Sequence, residues 1–179
     1  MEVNPGCKGT RKKDSPTWWG FVKKYLINKW NAIEVHNMEV DDAVNITRLQ
    51  VKDSHIVAVD KDLLNLEGTH YNWVKNQWVT TNKENAEYEF WKDAVIGQTG
   101  DNVKGIPGVG KANKIFKEKL FKPTAQYVLG LYIDKLGEEE GIQAFYVNYH
   151  SLKIKDKDDA FTVPNISGLD VKEEKDKEW

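Results

Sequence analysis

Apolar positions along the chain fall into short helical and strand-like runs separated by glycine, proline and charge. From Pro16 the run TWWGFVKKYLINKWN sets Trp18, Trp19, Val22, Leu26 and Trp30 near helical spacing, interleaved with Lys23, Lys24 and Lys29, which predicts an amphipathic helix. Rings at that spacing read as core, with stacking on unpaired bases as their other use. Ala32 to Val35 predicts a short strand, and Glu39 to Leu49 a helix whose acidic start suits the positive end of its dipole. His55 to Val59, HIVAV, predicts a buried strand that ends abruptly at Asp60, the end at which open α/β sheets place their ligands. HYNWVKNQWVTT predicts a hairpin turning near Asn76 and Gln77, with Trp73 and Val79 among the flanking residues. Thr81 and Glu84 form a capping box for a helix to about Ile96. Helices are also expected from Ala112 to Leu120, Thr124 to Leu136 and Glu138 to His150.

The ends differ from the middle. Residues 1–16 hold Pro5, Gly6, Gly9 and Pro16 and read as an irregular basic lead-in, while the tail after Lys153 is charged and expected to fray. A chain of 179 residues with 40% hydrophobic content buries roughly two thirds of its unfolded surface, enough for a core without disulfide or metal staples. The lone Cys7 excludes an internal disulfide and the Cys-rich zinc motifs. No run approaches the roughly 18 apolar residues of a membrane span, and no apolar signal segment opens the chain, so a cytoplasmic protein without membrane partners is expected. With 26 Lys+Arg against 28 Asp+Glu, coating of nucleic acid by charge alone is excluded, though a local site is not. The four histidines, His36, His55, His70 and His150, are scattered without metal-ligand spacing and read as structural or solvated.

Three clusters carry candidate chemistry. Glu39, Asp41 and Asp42 lie in MEVDDAV, and Asp60 and Asp62 in VAVDKDLL. Hard divalent cations want several carboxylate oxygens, and two ions about 4 Å apart draw on more than one cluster. The same residues equally complement one helix N-terminus and cap the next. The third cluster is Asp101-Asn102 followed by Gly105-Ile106-Pro107-Gly108-Val109-Gly110-Lys111. Its glycines free the backbone to present N–H groups to a phosphate, with Lys111, Lys114 and Lys117 at helical spacing beside them. This suits a helix–hairpin–helix grip on a DNA backbone, and a plain interhelical turn is the alternative. The Gly-Lys-Ser/Thr ending of a P-loop is lacking, which argues against nucleotide hydrolysis.

The order of these pieces resembles the 5′-to-3′ exonuclease and flap endonuclease family, most closely its phage and bacterial branch, including the nuclease domain of DNA polymerase I. CKGTR at Cys7 to Arg11 is similar to the family's Tyr-Lys-x-x-Arg, MEVDD to its Val-Glu-Ala-Asp-Asp, VAVDKDLLNL to its Ser-x-Asp-Lys-Asp-Leu-Leu-Gln-Leu. GDNVKGIPGVGKANKI is similar to its Ser-Asp-Asn-Ile-x-Gly-Val-x-Gly-Ile-Gly-x-Lys-x-Ala. The resemblance runs from residue 7 to about 150. It implies an α/β fold: a partial PIN-like 5′-nuclease sheet with flanking helices over 1–96, a helix–hairpin–helix (helix–three-turn–helix) subdomain over 97–152, and a charged tail over 153–179. It implies two-metal phosphodiester hydrolysis on DNA with a 5′ end or flap, as in replication primer removal. Glu39, Asp41 and Asp42 would hold one magnesium or manganese ion and Asp60, Asp62 and Asp101 the other. Lys8 and Arg11 would steady the scissile phosphate. Gly105, Gly108, Gly110, Lys111 and Lys114 would hold the duplex, with a potassium ion on the hairpin's carbonyls.

Two departures stand out. Where the family has Gly-Asp-x-x-Asp-Asn, this chain has Gly97-Gln98-Thr99-Gly100-Asp101-Asn102, so neutral Gln98 replaces a second-metal carboxylate. The family's opening strand and its two aspartates have no counterpart ahead of Lys8. A fragment or internally initiated product, a split gene completed by a separate chain supplying that strand, and a decayed copy that only binds duplex DNA all remain open. In the short form, strand residues such as Ile56 and Val57 would lose a neighbour, so an exposed sheet edge and poor solubility are expected.

Overall fold

The computed structural model describes residues 15–118 and 120–157. Helix α1 (Trp19–Trp30) forms as the spacing predicts and ends at Asn31, whose left-handed backbone serves as its cap. It buries none of its residues: Trp18, Trp19 and Trp30 are all exposed, so the expected core role for these rings is corrected. A helix needs an apolar surface to pack on, and no described element covers this one. The expected strand at Ala32 to Val35 is also corrected, because that stretch is irregular.

Helix α2 (Val40–Gln50) carries Asp41 and Asp42 in its first turn. Strand β1 (Ile56–Val57) is shorter than HIVAV suggests, and only one face is covered: Ile56 is 4% exposed and Val57 62%. A one-turn helix α3 (Lys61–Leu64) returns the chain to β2 (Gly68–Asn72), which pairs parallel to β1 (Ile56 opposite His70). Strand β3 (Gln77–Thr81) then pairs antiparallel to β2 (Asn72 opposite Gln77), giving the order β1-β2-β3 with β1 at the edge. The hairpin turn spans Trp73 to Asn76, and Asn76 takes the positive φ of 52°.

Helix α4 (Lys83–Ile96) is capped one residue later than the capping box suggests. Asn82 accepts from the Asn85 N–H, while Thr81 is drawn away to donate to the Leu64 carbonyl. Beyond α4, a two-residue ribbon of β4 (Gly97–Gln98) and β5 (Val103–Lys104) brackets a 3₁₀ turn (Thr99–Asp101). The glycine segment leads to α5 (Lys114–Lys117), far shorter than Ala112 to Leu120. Helices α6 (Ala125–Leu136) and α7 (Glu138–Leu152) form a hairpin through Gly137 (φ +87°). Their backbones approach closely: a Cβ on Gly141 would stand 2.8 Å from Ile133 Cα.

The core lies in this helical half. Trp91, Ala94 and Val95 from α4 meet Val128, Leu129 and Tyr132 from α6 and Phe145, Tyr146 and Tyr149 from α7, with Ile106 and Phe121 closing the edges. Trp91 stacks on Phe145 with ring planes 9° apart. A polar knot crosses it: the Tyr132 hydroxyl donates to the Ala94 carbonyl and accepts from Asn148, whose amide also donates to the Lys104 carbonyl. Burial pushes the Tyr132 phenol up to about 12. This knot fastens the β4–β5 ribbon, and with it the cleft described next, to the rigid helical half.

Candidate acidic cleft

One cleft of about 990 Å³ runs between the start of α2, the β1–α3 junction, α4, the β4–β5 ribbon and the end of α7. All six carboxylates singled out in the sequence, Glu39, Asp41, Asp42, Asp60, Asp62 and Asp101, line it. Each stands where an element begins or ends: the first turn of α2, the junction between β1 and α3, and the 3₁₀ turn. That placement follows from local chemistry, since acids favour helix N-termini and Asp60 caps α3 by accepting from the Asp62 N–H at 3.0 Å. Capping and cleft-lining are thus properties of the same side chains.

Four further residues shape the cleft without having been singled out as acids or bases of the site. Asp93, one turn before the end of α4, lines the wall, and the Gln98 amide nitrogen donates to its carboxylate at 2.8 Å and to Asp62 at 3.3 Å. On the opposite wall Asp42 accepts the Lys155 backbone N–H at 2.8 Å, with the Lys155 ammonium 4.0 Å from its other oxygen. Asn45 donates to the Lys155 carbonyl at 2.9 Å, so the strand of chain after α7 is clipped to α2 at two points. The expected fraying after Lys153 is therefore corrected for residues 153–157. The remainder of the tail lies outside the described residues, as do Lys8 and Arg11. Asp93 carries no signal of this role in the sequence, where it is one of several polar positions along α4.

The donor set is all oxygen, which suits magnesium or manganese. Among the described residues no three acidic or histidine side chains come together around one ion position. Asp42 is clasped by Lys155, and Asp62 and Asp93 are joined through an amide.

The glycine segment lies beyond the ribbon. Gly105 is pressed against the end of α4, where a Cβ would meet the Ile96 carbonyl carbon at 2.2 Å, and the Ile106 N–H donates to the Val95 carbonyl. Gly108 takes φ +79°, and Gly110 faces open space. Lys111 sits in a turn ahead of α5 and not on a helix, so the helical register expected for Lys111, Lys114 and Lys117 holds only for the last two. Lys111, Lys114 and Lys117 are all exposed. The loop carbonyls of Ile106 and Gly110 already accept from Val109 and Asn113; each oxygen keeps a second lone pair, so their donor type suits potassium. His70, fully buried, donates from Nε2 to the Leu66 carbonyl, and burial holds its pKa below 6.5, in keeping with a structural histidine.

No known family profile matches the sequence, and no curated protein does. Solved structures do. The fold is similar to a T5 protein co-crystallised with metal ions, at 16% identity and TM-score 0.53 over 86% of this chain and 68% of the other. It is similar to a mutant of the T5 5′-exonuclease at 16% identity and TM-score 0.51, over 78% of this chain and 64% of that one. The bacteriophage T5 flap endonuclease in a pseudo-enzyme–product complex with DNA and metal ions matches at 16% identity and TM-score 0.53, over 86% and 68%. The chain thus spans about two thirds of the length of these structures. At such identity the likeness is one of fold: a mixed α/β fold of the 5′-nuclease type, without distinction of branch. No described helix is long and apolar enough to cross a membrane.

Proposed function

We propose that this protein processes DNA as a 5′ nuclease, engaging a 5′ end or flap and hydrolysing a phosphodiester at the acidic cleft. The observation that carries this reading is the convergence of six carboxylates from three separate elements on one cleft, within a fold shared with 5′ nucleases. In this reading residues 1–96 form the cutting half and 97–152 hold the duplex. Lys8 and Arg11 steady the scissile phosphate, while the segment Gly105–Gly110 with Lys111 and Lys114 holds the backbone by charge and N–H donation. In this reading the cleft's all-oxygen donor set draws magnesium or manganese.

A second reading has its own support. The clasping of Asp42 by Lys155 and of Asp62 and Asp93 by Gln98 favours a DNA-holding module that does not hydrolyse. The test is cleavage of a labelled 5′-flap DNA by the full chain in magnesium and in manganese, with Asp60→Ala/Asp62→Ala as control. Cutting by the wild type and not by the variant is the expected result. No cutting with salt-sensitive flap binding retained would replace the first reading by the second, and absence of both would refute the two together.

A further inference from the structure

Gln98 occupies an unusual position. The ribbon that carries it is built tightly: Gly97 takes φ +83°, and a Cβ there would stand 2.3 Å from the Gly105 nitrogen. Gln98 itself pairs with Val103 across the ribbon, so its backbone has little freedom. From that anchor its side chain reaches two carboxylates that belong to different elements, Asp62 on α3 and Asp93 on α4. Carboxylates only accept, and an amide NH₂ carries two donors, so the Nε2 end is the end that faces them. One uncharged group thereby does what a cation does at such a junction: it gives both acids something to bind and holds them at fixed separation. The neighbouring cation, Lys61, is 3.5 Å from Asp62 but largely exposed and contributes little.

We infer that Gln98 stands in for a metal ion at this corner of the cleft: its amide bridges Asp62 and Asp93, and the corner binds no divalent cation. A divalent ion would have to displace the amide and then find only two carboxylates where it wants more oxygens. Replacing the amide by a carboxylate of the same length removes the donor and supplies the missing acid in one step. The inference rests on the nuclease reading only for the choice of ion, and it is read out without cleavage.

The experiment titrates manganese alone into the full chain, wild type and Gln98→Glu, following bound ion by electron paramagnetic resonance and the melting temperature with and without EDTA. Gln98→Glu is expected to bind one more manganese ion than the wild type, to melt lower in EDTA, and to recover in manganese. The wild type is expected to keep its ion count when Asp93 is changed to Asn. Equal counts and equal manganese response in wild type and Gln98→Glu would overturn the inference, as would loss of a wild-type ion in Asp93→Asn. If Gln98→Glu does not fold in either buffer, Gln98→Asp, which likewise removes the donor and supplies a carboxylate, is read instead. There a manganese-dependent rise in melting temperature absent from the wild type supports the inference, and no rise overturns it. Failure of flap cutting together with the expected ion counts would refute the nuclease reading alone. Cutting with a wild-type ion lost in Asp93→Asn would refute this inference alone.

Discussion

Two tyrosines in the same core should respond to the same substitution differently, one with a clear loss of stability and the other with none. Tyr132 is 1% exposed, and its hydroxyl both donates to the Ala94 carbonyl and accepts from Asn148 at 2.6 Å. Tyr132→Phe strands one Asn148 N–H and deprives the Ala94 carbonyl of its side-chain partner in a dry environment. At about 1–3 kcal/mol per stranded group, discounted for the ring that remains packed, the expected loss is about 2–4 kcal/mol. For a chain of this size that lowers the melting temperature by roughly 5–15 °C. Tyr146, buried at 3% exposure, has a hydroxyl with no hydrogen-bond partner among the described residues. Removing it relieves a desolvated polar group, so Tyr146→Phe is expected to be neutral or stabilising by up to about 2 kcal/mol. The check is urea and thermal unfolding of both variants side by side, followed by circular dichroism. A Tyr132→Phe within about 0.5 kcal/mol of wild type, or a Tyr146→Phe that loses more than Tyr132→Phe, would refute the account of the knot. A cycle with Asn148→Ala should show the Tyr132 and Asn148 losses to be less than additive, because each removes the same bond.

Three other outcomes are expected. Gly105→Ala should cost about 3 kcal/mol or more, because its Cβ would overlap the Ile96 and Val95 carbonyls, whereas Gly110→Ala, facing open space, should cost about 1 kcal/mol or less; equal midpoints in urea would contradict this. Burial lowers the His70 pKa and so penalises its charged form: the unfolded chain takes up this proton first, and stability, complete above about pH 6.5, declines as the pH falls below it, by at most about 1.4 kcal/mol per pH unit per proton. Melting curves at pH 7.5 and 5.5 should show the decline, and His70→Gln should lessen it, the part that remains coming from His150, whose pKa is likewise lowered by burial. Lys111→Ala/Lys114→Ala should weaken duplex binding and reduce the slope of log affinity against log salt by up to about 1.8; an unchanged slope would remove these lysines from the DNA surface.

Much of this architecture is legible in local sequence. Helices α4, α6 and α7 and the β2–β3 hairpin follow from apolar periodicity and turn residues, and the six cleft acids are visible because they sit at element ends, where capping chemistry already selects them. What the sequence could not show is set by contacts across long separations. The exposure of Trp18, Trp19 and Trp30 depends on whether another element covers α1, a fact its own periodicity does not contain. β1 shrinks to two residues because a strand extends only as far as a neighbour pairs with it. Asp93 reads as one more polar position on a helix until the fold turns it toward Asp62, and Gln98 reads as a lost carboxylate until its amide is seen between the two. Lys155 lies 110 residues beyond Asn45, yet their bond decides whether Asp42 is available to a ligand or already held. Local sequence determined which residues supply the carboxylates of an acidic cleft, whereas the tertiary structure decided how many of them are already held by the protein itself.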